Sequence, residues 1–342
     1  MSTVARNLGA LLILLFAAAI FFVTSQDEPV HSIGRRASQS GFQPVTARNA
    51  ESELRHAVRS ATSEEFALDD RETASSAQPA RANSSAASTV VAQFSLPVEG
   101  RLDGRDALQH SLSCLEAGYE KLLKIPKYTA VFSKQERLNG NLQDEQVMQV
   151  KLRHKPFSVY MKWLVGDAGK EVLYVEGQHE NRLLVKFGGW KARMIPTLFL
   201  EPDGTLALSE ARYPITQFGF RPLVETLIGY RRHDVITNAP LVCEMTEAQD
   251  DWGRDCYRFV VEYTDSTKSD VYRKTVLYID QQLLLPVCIR NYTWPGPHDT
   301  LVQPQLDEST LLEYYAYRDI STSPELSEAD FDDANQGYRF QR

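Results

Sequence analysis

Seven histidines, four cysteines and scattered carboxylates are the side chains in this 342-residue chain with the means to do chemistry. The histidines are His31, His56, His110, His154, His179, His233 and His298, and none has a second His or a Cys at the spacing a metal site needs. They read as surface or capping residues, and no metal is expected. Cys114, Cys243, Cys256 and Cys288 form no C-x-x-C pair, which removes zinc-ribbon and thioredoxin-like chemistry. Glu171 with Glu176, and Glu225, would suit general acid–base work if brought together, but in so acidic a chain they read as solvated faces. No H-E-x-x-H, G-x-S-x-G, phosphate-binding glycine loop or dinucleotide fingerprint occurs. The expectation is a protein without catalysis or cofactor. Asn83-Ser84-Ser85 and Asn291-Tyr292-Thr293 match the glycosylation pattern, as chance alone often provides.

Formal net charge is −8, with acids and bases interspersed and no basic stripe, which argues against a nucleic-acid partner. The distinctive chemistry is apolar instead. In "KPFSVYMKW", Phe157, Val159, Met161 and Trp163 fall on one side of an extended chain, and Ser158, Tyr160 and Lys162 on the other. Met148, Val150 and Leu152 repeat the pattern, as do Tyr257, Phe259 and Val261. These ten residues are the candidate lining of an apolar cavity; the same pattern also suits a plain packed core.

The elements that must carry those faces follow from the period. Residues 104–123 place Leu108, Leu112, Leu115, Tyr119, Leu122 and Leu123 at helical spacing, with Asp103 or Asp106 as cap and Pro126 beyond the end. The period then changes to two. A hairpin turns at Asn139-Gly140, three more strands follow, and a second helix is expected near 220–231 with Pro222 in its first turn. Five further strands come after it, the last being "TLLEYYAYRDI", and the tail reads as a short helical turn and coil. The turns are too short for parallel crossovers, so the sheet is antiparallel. About ten strands in one sheet curl rather than stay flat. The expected fold is α+β, mostly antiparallel β: an incomplete barrel with helices over its concave face.

Three segments are expected. In residues 1–25, Arg6 precedes an apolar run from Leu8 to Val23, which reads as a cleaved export signal or an uncleaved anchor. Residues 26–100 are Ser/Ala-rich and read as a disordered linker. Residues 104–342 form the folded domain, outside the cytoplasm in either case, in the periplasm or cell envelope. That location permits a disulfide. Cys243 and Cys256 flank a hairpin and would face each other if its loop ran over 247–252; the alternative is four buried thiols.

"PVCIRNYTWP", "LLEYYAYRDI" and "ADFDDANQGYRF" closely resemble the bacterial family known as domain of unknown function 1571, and "KPFSVYMKWL", "GKEVLYVEG" and "RYPITQFGF" look like its other blocks. The resemblance covers roughly residues 105–342 and implies no settled activity. "VLYIDQQLLLPVCIRNY" is more loosely similar to the strand–turn–strand of the LolA-like lipoprotein carriers, which implies a half-barrel that holds acyl chains. The partner so implied is a lipid or lipoprotein acyl chain. The alternative is an envelope module whose sheet surface binds another envelope protein.

Overall fold

The computed structural model describes residues 100–296 and 300–341. The expected signal over 1–25 and all but the last residue of the 26–100 linker lie outside these residues. In chain order the elements are β1 (Arg101–Asp103), α1 (Gly104–Leu122), β2 (Lys127–Leu138), β3 (Asn141–Leu142), β4 (Gln146–His154), β5 (Phe157–Val165), β6 (Glu171–Val175), β7 (Leu183–Lys186), α2 (Lys191–Met194), β8 (Leu198–Leu200), α3 (Thr205–Leu208), α4 (Phe220–Thr237), β9 (Leu241–Gln249), β10 (Asp255–Tyr263), β11 (Lys274–Asp280), β12 (Pro286–Tyr292), α5 (Gln305–Thr310) and β13 (Leu311–Ser321).

The strands form one antiparallel sheet in the order β1-β9-β10-β11-β12-β13-β2-β4-β5-β6-β7-β8, with β3 beside β2. Two meanders, β9 to β13 and β4 to β8, are joined by the pairing of β13 with β2. The end strands β1 and β8 do not pair with each other, so the sheet is not closed into a barrel. All ten expected strands are present. The additional ones, β1, β3 and β8, have two or three residues each, too few to display a period. The hairpin turn has φ of 51° at Asn139 and 86° at Gly140, the paired left-handed geometry that Asn-Gly favours.

The concave face holds the main core. Helices α1 and α4 lie over it, with Leu115, Leu122 and Val224 fully buried. Asp103 precedes α1 but makes no side-chain cap; its carboxylate accepts instead from Arg101. Helix α4 continues to Thr237, past the expected stop near residue 231, and ends where Asn238 turns left-handed at φ 48°, ψ 52°. Gly118 is the point of closest approach between α1 and the sheet connection: a Cβ there would stand 1.9 Å from the Leu284 carbonyl oxygen.

Two expectations are corrected. Glu171 is buried, and the face that carries it, read as solvated, is covered over β5–β7. The tail after β13 folds back across it, and Phe331, Tyr338 and Phe340 form a second small core with Tyr160, Leu173, Val175 and Leu184. Tyr338 stacks on Tyr160 with ring centroids 4.0 Å apart. Arg153–Glu328 and Lys151–Asp330 pairs flank this core, so Ser158 and Tyr160 are buried. The second correction concerns Cys243 and Cys256. The β9–β10 ladder sets Cys243 opposite Val261 and Cys256 opposite Ala248, because the pairing runs out to Gln249–Asp255 and the loop is confined to 250–254. The two side chains do not meet, and all four cysteines are free, buried thiols.

Candidate functional site

The ten residues read as cavity lining all point into the concave side. Met148, Val150, Leu152, Val159, Met161, Trp163, Phe259 and Val261 are buried there, while Phe157 and Tyr257 are partly buried against the same core. Alternation along each strand is sufficient to put them on one face. What covers that face differs along the sheet.

Over the β9–β12 side the roof is helical. The chief neighbours of α1 are β1, β9 and α4, and α4 leans toward β12. A buried group locks the end of α4 down: the Tyr263 hydroxyl donates to Asp234 at 2.9 Å, and Asp234 pairs with Arg231 at 3.1 Å. Burial nonetheless pushes the Asp234 carboxyl above its ordinary value, against the pull of Arg231. The centre of the face is filled by rings. Phe132, Phe218, Phe220, Tyr128 and Tyr317 pack with centroids 4.3 to 5.1 Å apart.

Over β4–β7 the cover is a strap, residues 201–219, built from α3 and short turns, while β8 before it extends the sheet beside β7. Ala207, Ile215 and Phe218 on this strap, with Leu198 and Leu200 of β8, pack against the core that contains Met148, Met161 and Trp163. Leu206 on the strap is exposed, as are Trp190 and Met194 in the connection before β8.

The strap is bolted down by a polar cluster that the sequence reading missed. Glu136 on β2 and Glu313 on β13 stand directly opposite in register, and both are buried. Glu313 accepts from Arg212 Nε (2.8 Å), Asn291 Nδ2 (2.7 Å) and the hydroxyls of Tyr213 (2.9 Å) and Tyr272 (3.1 Å). Glu136 accepts from Lys134 Nζ at 2.9 Å and from the Tyr315 hydroxyl at 2.5 Å. Lys134 also reaches the Glu210 carbonyl, and the Glu210 carboxylate pairs with Lys170. Two adjacent carboxylates would repel; Arg212 and Lys134 offset them, and every carboxylate oxygen has a donor. Burial, reinforced by Glu313 and Glu136, holds the Tyr315 hydroxyl well above its usual range, so it stays a donor. The cluster acts as a latch. The signal in the sequence was parity: Glu136 and Glu313 fall in phase with the inward Tyr128, Phe132, Tyr315 and Tyr317.

Nucleophile chemistry is disfavoured where Cys114 and His110 approach each other. Cys114 Sγ lies 3.7 Å from His110 Nε2, but burial raises the thiol to about 12 and lowers the imidazole, which opposes a thiolate–imidazolium pair. Among the described residues no group of three or more His, Cys, Asp or Glu is placed to hold a metal, and no helix is long and apolar enough to cross a membrane.

The family model described as "Protein of unknown function (DUF1571)" matches residues 125–340. No curated protein matches the chain. Among solved structures, the lipoprotein LppX of Mycobacterium tuberculosis is 11% identical, with 64% of this chain and 97% of that one covered and a TM-score of 0.36. A LolA superfamily protein from Nitrosomonas europaea is 12% identical over 65% and 97%, with a TM-score of 0.27. A putative outer membrane lipoprotein-sorting protein domain from Vibrio parahaemolyticus is 10% identical over 66% and 97%, with a TM-score of 0.28.

Proposed function

We propose, for a chain that belongs to the DUF1571 family, the role of an exported cell-envelope protein that holds a lipid or lipoprotein acyl chain and performs no catalysis. The observation that carries this reading is the uneven roof. A continuous apolar face is covered in part by two long helices and in part by a strap of short elements held by a polar latch. An acyl chain would lie beneath that strap, beside Met148, Met161 and Trp163. Methionines are unbranched and polarizable and refill space at low cost when a ligand leaves. The latch gives the strap a fixed closed position, and its ion pairs can part without opening the helical half of the core. Placement in the envelope rests on the apolar run from Leu8 to Val23.

The packed rings at the centre of the face favour a second reading, an envelope interaction module with a solid interior. One experiment separates the two. The whole chain is purified in mild conditions and weighed by native mass spectrometry, then titrated with a fluorescent fatty acid. The acyl-chain reading requires co-purified lipid or saturable uptake, and Trp163→Ala must weaken that uptake. A clean apo mass with no saturable uptake sinks it and leaves the interaction module.

A further inference from the structure

The connection from β7 to β8 presents a different surface. From Arg182 to Leu200 the sequence carries Arg182, Lys186, Lys191 and Arg193 and no acidic residue, in a chain whose formal charge is −8. The segment is held firmly. Gly188 passes so close to the β5–β6 turn that a Cβ would stand 2.2 Å from the Ala168 carbonyl oxygen, and Lys186 Nζ donates to the Ile195 carbonyl at 3.3 Å. What it holds outward is apolar: Trp190 is 69% exposed and Met194 62%. Among the described residues, Lys191 and Arg193 beside them show no side-chain hydrogen bond or ion pair. At the foot of the loop lies an open depression of about 700 Å³, lined by the cations Lys186, Arg193 and Arg339 and by Met194, Ile195 and Pro196.

A Trp and a Met side chain held out beside unpaired cations match one environment. Indole rings settle at the boundary between headgroups and acyl chains, and Lys and Arg pair with phosphates in the same layer. We infer that the β7–β8 connection docks the domain on a bilayer containing anionic phospholipid. Trp190 and Met194 enter the interface, and Lys191 and Arg193 meet the phosphates. Charge complementarity selects this occupant, since this acid-free stretch beside the edge strand β8 faces outward from an acidic protein. The inference stands whether or not the concave face carries an acyl chain.

The test uses the whole chain with vesicles of brominated phosphatidylglycerol and phosphatidylcholine, and with brominated phosphatidylcholine alone. Residues 1–99 contain no tryptophan, so attachment through the N-terminal apolar run does not itself bring an indole to the quencher. The quantity read is the quenching present in the wild type and missing in Trp190→Phe. It should be present on anionic vesicles, at least tenfold smaller on phosphatidylcholine, and at least tenfold smaller in Lys191→Glu/Arg193→Glu. Trp190→Phe carries the test if the charge reversal fails to fold. Equal quenching of wild type and Trp190→Phe, or equal quenching on both vesicles, overturns the inference. So does loss of the signal on adding millimolar inorganic phosphate at constant ionic strength, which would mark a site for a free anion. Trp190 shielded from acrylamide without vesicles would mean another surface covers it, and is equally fatal.

Discussion

The two halves of the concave face share the same strand chemistry and differ in their roofs. Over β9–β12 two helices of 19 and 18 residues press on the sheet, with Phe259 and Val261 beneath them. Over β4–β7 the cover is one four-residue helix and turns. A long helix moves as one body, so it either packs or leaves. A strap of short pieces tied by ion pairs has smaller units that shift one at a time. The same inward apolar residues therefore make a fixed core on one side and an adjustable one on the other.

Truncation should expose the difference. Phe259→Ala, in the helical half, should cost about 3–5 kcal/mol by denaturant unfolding. Trp163→Ala, under the strap, should cost about 3 kcal/mol or less, because the strap can settle into the space. Its larger effect should be on fatty-acid uptake; equal costs with no change in uptake would dissolve the contrast. Arg212→Ala probes the latch itself. It leaves buried Glu313 without its cation but with three other donors, so a loss of about 2–3 kcal/mol is expected in chemical denaturation.

Two glycines offer a matched comparison. A methyl at Gly118 meets the Leu284 carbonyl, and one at Gly188 meets the Ala168 carbonyl. Gly118→Ala must lift a whole helix and should lower thermal stability by the equivalent of about 2–3 kcal/mol; Gly188→Ala displaces only a loop and should fall near about 1 kcal/mol. The reverse ranking would mean the β7–β8 connection is the stiffer of the two contacts.

Acid should act through His154, which lies beside Tyr128 at the edge of the ring cluster. Burial, with Arg221 adding to it, lowers its pKa from 6.5 to about 4. Between those values the unfolded chain binds the proton and the folded chain does not. The His154 contribution is therefore complete above pH 6.5 and is lost as pH falls toward about 4. His154→Gln should flatten that part of the acid limb in urea midpoints measured at pH 7 and pH 5. The smallest effect belongs to Lys162→Ala. Its half-exposed ammonium lies 4.0 Å from Glu171, which Arg339 already holds, so the change should stay within about 0.5 kcal/mol.

Alternation in "KPFSVYMKW" and its neighbours was enough to read the strands, the antiparallel sheet and which side chains turn inward, because a period of two reports backbone conformation directly. Asn139-Gly140 and Pro222 announced a turn and a helix start for reasons equally local. The candidate lining was thus legible as a face. Its roof was not: residues 201–219 show no sustained period, and whether a face is core or site depends on what lies across from it. The latch joins Glu136, Arg212 and Glu313, far apart in the chain, once β13 pairs with β2. The tail covers Tyr160 only after it has crossed the finished sheet. Cys243 and Cys256 stayed apart because a shift of a few residues in ladder register separates any cross-strand pair. Local sequence sets the conformation of each piece, and the order in which pieces become neighbours is settled by packing the whole.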